Sequence, residues 1–526
     1  MKILISDSVE QGCIEILRSE SFDVDNRPGL STEELKQVIA AYDGLVVRSS
    51  TKVTGDIIAL ATKLKVIGRA GTGVDNIDVP SATRRGILVM NTPGGNTISA
   101  AEHTVSMLMS LARNIPQAHQ SIAKGEWERK RFTGTEVFEK TLGVIGLGRI
   151  GREVALRCHG LGMTVIGYDP VIAPEAAAKI DIELVPLEEI FRRSDFITVH
   201  TPLTSDTKGL LNDATLARCK KGVRLINCAR GGIIDEGALL RALESGRVAG
   251  AALDVFEVEP PKANPLLKHS RVIATPHLGA STDEAQEKVA LQIAHQIADA
   301  LKGRSFAGVV NSAVMQQTLR EEVRPLVVLA EKMGSMVAQM AEGKLKRLTV
   351  GAAGEQALTA LDLLKAGVTK GVLSHVHPDP VNYISAPFLA AELGLVVNEE
   401  RENEPENYGV LVRVRYETEK GTSEVAGTVF GRSGVRFVKI DGFRVEVNPE
   451  GLLLIYNNID RPGMLAQVGT ILARYQVNIG GVSLGRVEAG GNALTVMNID
   501  GSVPSQGVTE MKGLGGVTNL RIVRLE

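Results

Sequence analysis

The stretch VIGLGRIGRE, residues 144–153, constrains this chain more than any other of its length. Its glycines, Gly146, Gly148 and Gly151, have the spacing G-x-G-x-x-G, between an apolar run that reads as a strand and a segment that reads as a helix. The first glycine permits a tight turn, the second lets a pyrophosphate approach the backbone, and the third lets helix and strand pack closely. Amide N–H groups at the helix start then face phosphate. The next strand, MTVIGYD, ends in Asp169, near the separation of about 20 residues at which a carboxylate meets a ribose. A carboxylate there accepts bonds from the ribose hydroxyls and repels a 2′-phosphate, which favours NAD over NADP. Such a unit requires a parallel sheet with helices on its faces.

Four zones surround it. Residues 1–98 alternate short apolar strands (KILIS, GLVVRS, LKVIGRA, ILVMN) with helical patterns (STEELKQVIAAY, TGDIIALAT). That alternation predicts a second parallel sheet. Residues 99–286 open with the helical SAAEHTVSMLMSLARNI, interrupted at Pro116, and continue in strand–helix units. The amphipathic DEAQEKVALQIAHQIADALKG and a closing VVNS follow. Residues 306–450 predict helices, then an acidic loop, NEERENEPENYG, then antiparallel strands between glycine turns. From Gly451 the order reads βαββαβ, a small ferredoxin-like unit.

The 526 residues suit about three or four domains, and a net charge of −2 offers no field for nucleic acid. No run approaches the ~20 apolar residues of a membrane helix, and MKILISDS enters a strand pattern directly, unlike a signal peptide. Cys13, Cys158, Cys219 and Cys228 are scattered and read as reduced thiols, so a cytoplasmic location is expected. His375 and His377 alternate in HVHPD, but no Cys or third His is near, so no metal site is expected.

Three segments carry chemistry. INCARGG puts Arg230 at a strand end, DVFEVEPP puts Asp254 at another with Glu259 beyond it, and TPHLGAST puts His277 after a third. All lie where open α/β sheets bind ligands. A histidine can accept a hydroxyl proton and return it near neutral pH, and a carboxylate beside it orients the ring and raises its pKa. An arginine binds a carboxylate through two parallel bonds and polarises a carbonyl. Arg48 and Arg69 end two strands of the first zone and should face the same cleft. The basic WERKRF, residues 127–132, is either a solvated surface or a further source of charge across a subunit boundary.

GLGRIG, INCARGG, DVFEVEPP and TPHLGAST, with GRAGTGVDNID and VMNTPGGNTISAAEHT, resemble the D-2-hydroxyacid dehydrogenase family. The likeness extends through the last two zones, which look like the intervening and ACT domains of its long members. It implies an α/β fold of two Rossmann-like, doubly wound parallel-sheet domains, with an α+β intervening domain and a ferredoxin-like ACT domain. The substrate domain would be split, 1–98 with 287–305, around a cofactor domain at 99–286; the intervening domain would span 306–450 and the ACT domain 451–526. The resemblance implies Arg230, Glu259 and His277 as a catalytic trio. It places NAD contacts on Thr72, Arg149, Ile150, Asp169, Thr201, Cys228, Asp254 and Ala280, beside the three glycines. The expected reaction is oxidation of 3-phosphoglycerate, held by Arg48, Arg69, Arg230 and His277, in a homo-oligomer, dimer or tetramer. A glyoxylate or hydroxypyruvate reductase is the alternative enzyme, and an NAD-sensing corepressor scaffold the alternative of another class. In NNIDRPGML and YQVNI, Asn458, Asp460 and Asn478 stand where an amino-acid effector, L-serine, is expected, at the meeting of two ACT modules. A purely structural or dimer-forming module is the other reading.

Overall fold

The computed structural model describes residues 1–312, 314–315 and 321–525. Strands Lys2–Ile5, Asp23–Asn26, Gly44–Val47, Val66–Arg69 and Leu88–Asn91 form a parallel sheet in spatial order 2-1-3-4-5. They are short apolar runs because both faces are covered: Ile3, Leu45, Val46, Ile67 and Val89 are fully buried. One cover is helix Asp283–Leu301, which arrives from far downstream. Its Ile293 and Ile297 press on Gly68, where a β-carbon would lie 2.8 and 2.4 Å from them. The chain beyond it returns to the same sheet. Val310 N–H donates to Val89 O at 2.8 Å, and Asn91 N–H to Gly308 O at 2.9 Å.

The second parallel sheet comprises Thr141–Ile145, Thr164–Tyr168, Glu183–Leu184, Phe196–Val199, Val223–Asn227, Val248–Leu253 and Val272–Ala274. Their spatial order is 7-6-5-4-1-2-3. The order reverses between the first and fourth strands, and the crevice outside that point is where such sheets take ligands. Helix Thr97–Arg113 leads from the first sheet to the second and packs on helix Arg149–Gly160. It stops at Asn114, in the left-handed region at φ 52°, and Pro116 falls in the first turn of helix Ile115–Ala123, where proline is tolerated.

A six-stranded mixed sheet follows, of Leu345–Ala353, Val396–Arg401, Leu411–Thr418, Thr422–Phe430, Gly434–Ile440 and Phe443–Val447. Helices Arg324–Met340 and Leu361–Leu373 pack together beside it. Here one expectation is corrected. The acidic stretch is not all loop: Val396–Arg401 pairs in parallel with Leu345–Ala353 as an edge strand, and its exposed glutamates suit an edge that must not recruit another strand. The repulsion among the acids that follow is offset by the nearly buried Arg413, which donates to Glu402, Glu424 and Glu406 at 2.8, 2.7 and 3.2 Å. HVHPD forms the exit from helix Leu361–Leu373. His375 Nε2 lies 2.7 Å from Ser335 Oγ, whereas His377 bonds the backbone of Asp379.

Strands Gly451–Ile459, Asn478–Arg486, Asn492–Asp500 and Val517–Leu525, with helices Met464–Arg474 and Ser505–Lys512, complete the chain as an antiparallel βαββαβ unit in strand order 2-3-1-4. Among the described residues no helix is long and apolar enough to cross a membrane.

Candidate active site

The glycine turn is demanded at two positions and open at one. Gly146 has φ +94°, and a β-carbon on it would lie 2.6 Å from His200 O. One on Gly151 would lie 2.0 Å from Gly146 O, whereas Gly148 has no atom within 4 Å of that position. Helix and strand therefore meet at the first and third glycines, while the second leaves a cradle. Arg149 and Ile150 begin the helix there. Asp169 sits across from the turn, and its carboxylate accepts N–H bonds from Leu147 and Val171, both at 2.9 Å, and from Ile172 at 3.3 Å. It thus pins the turn to the end of the neighbouring strand, a task its spacing in the sequence does not reveal. Thr201 Oγ1, just beyond strand Phe196–Val199, is buried without a partner. Thr72 Oγ1 donates to Asn96 Oδ1 at 2.7 Å. Burial, then the charge of Asp254, pushes the Cys228 thiol up to about 12, so it stays protonated. An open cradle at a helix start, a ribose-side carboxylate and an unpartnered hydroxyl fit a dinucleotide.

The other side of the site is built from the loops that follow three strands, Val223–Asn227, Val248–Leu253 and Val272–Ala274. His277 follows strand Val272–Ala274 in the left-handed region, φ 55°, held by its N–H bond to Asp254 O at 3.0 Å. Its Nδ1 lies 2.8 Å from Glu259 Oε2, and Phe256 N–H donates to Glu259 Oε1 at 3.1 Å. The Glu259 bond raises the imidazole pKa above its ordinary value, against burial and the nearby positive charge of Arg230. Burial pushes Glu259 up, but the His277 bond and charge and the Phe256 N–H bring it below the usual carboxylate range. With Nδ1 engaged, Nε2 is the nitrogen available to trade a proton.

A cleft of about 490 Å³ joins this pair to the first sheet; Arg48, Arg69, Glu259, His277 and Ala280 line it. Arg48 follows strand Gly44–Val47, and its N–H donates to the buried Asp7 at 2.5 Å. Arg69 is largely buried and its Nε has no partner; burial, then the charge of Arg230, pushes its pKa down to about 10. Arg230 reaches from the second sheet to the loop after Val66–Arg69, donating through Nε to Asp75 Oδ2 at 2.9 Å and through Nη1 to Ala229 O at 2.6 Å. Two cationic side chains thus line the cleft and a third acts on it from beside His277, an arrangement that an anion relieves. WERKRF does not line this cleft: its Arg129–Phe132 is a short, exposed helical turn, with Arg131 paired to Glu128.

Asp254 is fully buried, and donors from the protein occupy both its oxygens: Thr275 Oγ1 and Leu278 N–H on one, Gly279 N–H on the other. His103 Nε2 stands 3.2 Å from Oδ1 of the same carboxylate. His103, Cys228 and Asp254 have ligand-type atoms within 4.8 Å of one another, and within the group His103 Nε2 faces Asp254 Oδ1 at 3.2 Å. His103 was not singled out from the sequence. Its helical spacing from Ser99 and Met107 was a visible signal, but its partner across the crossover was not.

The expected effector residues divide. Asn458 is buried, accepting from Thr495 Oγ1 at 2.9 Å and donating to Ile459 O at 3.0 Å. Asp460 accepts from Arg486 Nη1 at 2.7 Å and Gly490 N–H at 3.1 Å. Asn478 is exposed and donates to Asp500 Oδ2 at 2.8 Å. The register pairs Asn458 with Ala493 but Asn478 with Asp500, at opposite ends of one strand. Within one chain no amino acid spans that separation of roughly 20 Å.

Comparison with known proteins gives three family matches: D-isomer specific 2-hydroxyacid dehydrogenase, NAD binding domain, at residues 105–279; D-3-phosphoglycerate dehydrogenase intervening domain at 322–441; and ACT domain at 452–516. The chain is 43% identical to the D-3-phosphoglycerate dehydrogenase of Methanocaldococcus jannaschii over 100% of both chains. It is 42% identical to that of Synechocystis over 100% of this chain and 95% of the other. Among solved structures, TT0316 protein from Thermus thermophilus is 31% identical with a TM-score of 0.55, covering 59% of this chain and 100% of that one. An NAD-dependent formate dehydrogenase from Staphylococcus aureus in complex with NAD is 29% identical with a TM-score of 0.54, covering 59% and 99%.

Proposed function

This chain belongs to the D-3-phosphoglycerate dehydrogenase family, and from that premise we propose that it oxidises 3-phospho-D-glycerate to 3-phosphohydroxypyruvate with NAD, opening the phosphorylated route to L-serine. The observation that carries this reading is one cleft in which the His–Glu pair of the second sheet meets Arg48 and Arg69 of the first, with the charge of Arg230 acting on both His277 and Arg69 from beside it. The substrate is anionic at both ends. Arg230 takes its carboxylate and polarises the reacting C–O bond, while Arg48 and Arg69 take the phosphate. His277 accepts the hydroxyl proton on Nε2, and Glu259 holds the ring and stabilises the imidazolium formed. NAD, when bound, takes the hydride from the carbon that bears the hydroxyl. The glycine cradle, Arg149 and Ile150 face its pyrophosphate, Asp169 its ribose, and Thr72, Thr201, Cys228, Asp254 and Ala280 its remaining length. Residues 1–98 with 287–305 would carry the substrate, 99–286 the cofactor, and 306–450 and 451–526 assembly and regulation. A cytoplasmic setting suits four free thiols.

Turnover of 3-phosphoglycerate with NAD, compared with glyoxylate or hydroxypyruvate reduction, tests the reading. Activity only on the unphosphorylated acids removes the phosphate role of Arg48 and Arg69, and no turnover at all leaves a scaffold.

Asp169→Ala is expected to weaken NAD binding about tenfold, the equivalent of about 1.4 kcal/mol, and to narrow the preference over NADP. Both the ribose acceptor and the anchor of the glycine turn are lost. An unchanged ratio of the two affinities would sink that role.

L-serine is the proposed effector of the C-terminal module. Because Asn458 and Asp460 lie far from Asn478 in one chain, a ligand touching both ends needs a second copy, which supports a homo-oligomer whose ACT modules meet. Serine at millimolar concentration is expected to release heat in calorimetry and to lower activity. Asn478→Ala should abolish the inhibition and spare basal turnover. Silent calorimetry with unaltered rates makes the module purely structural.

A further inference from the structure

Helix Thr97–Arg113 touches the His277 loop with one face. Ser99 Oγ donates to Gly279 O at 2.8 Å, and both groups are buried. One turn on, His103 Nε2 lies 3.2 Å from Thr275 Oγ1 and 3.2 Å from Asp254 Oδ1. A further turn on, Met107 Sδ is 3.9 Å from Thr275 Oγ1. Positions 99, 103 and 107 are spaced by four and share a face. Between their contact points stands His277, in a backbone conformation that a residue with a side chain adopts only when its surroundings hold it there.

The protonation pattern follows from the donors. Thr275 has one hydroxyl proton, and the 2.6 Å contact gives it to Asp254 Oδ1. Asp254 accepts from Leu278 and Gly279 as well; burial pushes its carboxyl up, but the bonds from His103, Thr275 and Leu278 bring it below the usual carboxylate range, so it is ionised and cannot donate. His103 Nε2 therefore carries a proton, shared between Thr275 Oγ1 and Asp254 Oδ1.

We infer that Ser99 and His103 are positioning residues: they clamp both ends of the Thr275–Gly279 loop to the helix that leads from the first parallel sheet to the second, and so hold His277 in place. Asp254 is the hub of the clamp, since its carboxylate and carbonyl together bind the loop at Thr275, His277, Leu278 and Gly279. The inference rests on His277 as the acid–base proposed above. It differs from the NAD-contact role given to Asp254, because it concerns the proton-transfer group rather than the cofactor.

Three variants of the full chain test it: His103→Leu, which keeps bulk but no donor; His103→Gln, whose amide N–H can replace the ring donor; and Ser99→Ala. Hydrogen exchange of residues 275–281 is read first, because it does not depend on turnover. His103→Leu and Ser99→Ala should exchange faster there, with the thermal midpoint of the chain little changed. His103→Leu should lower kcat about 10- to 100-fold, as expected when a reacting group is displaced by about 1 Å, with NAD affinity held within about twofold. His103→Gln should restore most of both. A folded His103→Leu protein with wild-type exchange in this loop overturns the clamp. So does faster exchange with unaltered kcat, or a kcat loss that the Gln variant shares in full. A wild-type protein that fails to turn over 3-phosphoglycerate overturns the assigned reaction instead, and the exchange arm still decides the clamp.

Discussion

His277→Ala is expected to lower kcat about 10²–10⁴-fold, the range for a lost general acid–base, and to leave NAD binding nearly intact. The basis is the 2.8 Å bond to Glu259, which engages Nδ1 and leaves Nε2 as the nitrogen for the proposed proton transfer. The groups acting on the ring are the Glu259 and Asp254 carboxylates, which favour the imidazolium, and the Arg230 guanidinium, which opposes it. Because Glu259 raises the His277 pKa, alcohol oxidation, which needs the neutral ring, should rise with pH through a value above the ordinary ~6.5. Reduction of the keto acid, which needs the imidazolium, should fall over the same window. Glu259→Gln should move that limb to lower pH and reduce kcat as well. The pair also links stability to pH. His277, with its folded pKa raised, contributes below its unfolded value and loses that contribution as pH rises through the folded one. Glu259, with its folded pKa lowered, contributes above its unfolded value and loses it as pH falls through the folded one. Any gain in thermal midpoint over His277→Ala should therefore be greatest between about pH 4.3 and 6.5. Near-wild-type turnover in a folded His277→Ala protein would remove the assignment.

Arg230→Lys should cost about 10²–10³-fold in kcat/KM, the scale for losing a preorganised donor at a developing charge. The change keeps the positive charge and removes the fork. In this structure one arm of the guanidinium bonds Asp75 across the cleft and another bonds Ala229 O. A lysine ammonium is a single point and cannot keep those contacts while presenting two parallel donors to a carboxylate. Both kcat and KM should suffer, since in the proposed reaction the same group binds the acid and polarises the bond being oxidised. The thermal midpoint should change little, because Arg230 and Asp75 are partly exposed and an exposed pair contributes little to stability. A lysine enzyme with unaltered kcat/KM shows that a point charge suffices and that the fork has no catalytic role.

The local features were legible before the fold was known. VIGLGRIGRE announced its strand, turn and helix because each glycine answers a steric requirement a few residues away: Gly151 against Gly146 O is a contact within the motif itself. Runs such as GLVV and FITV are buried on both faces and read as strands of parallel sheets. The acidic stretch misled because edge strands are polar by design, so composition cannot tell them from a loop. The βαββαβ order was readable, but not that its register sends Asn458 and Asn478 to opposite ends of a strand.

By itself, then, the sequence determined the two parallel sheets, the dinucleotide turn, and the types of Arg230, Glu259 and His277 and their places in loops that follow strands, because periodicity and steric need act over a few residues. Tertiary structure alone decided what faces what. It placed the helix Asp283–Leu301 over Gly68 of the first sheet. It left Arg69 Nε unpaired beside Arg230. It also brought Ser99 and His103 against a loop more than 150 residues away. Such contacts depend on burial and donor–acceptor geometry between segments whose separation along the chain carries no periodic signal, so only the folded chain brings them together.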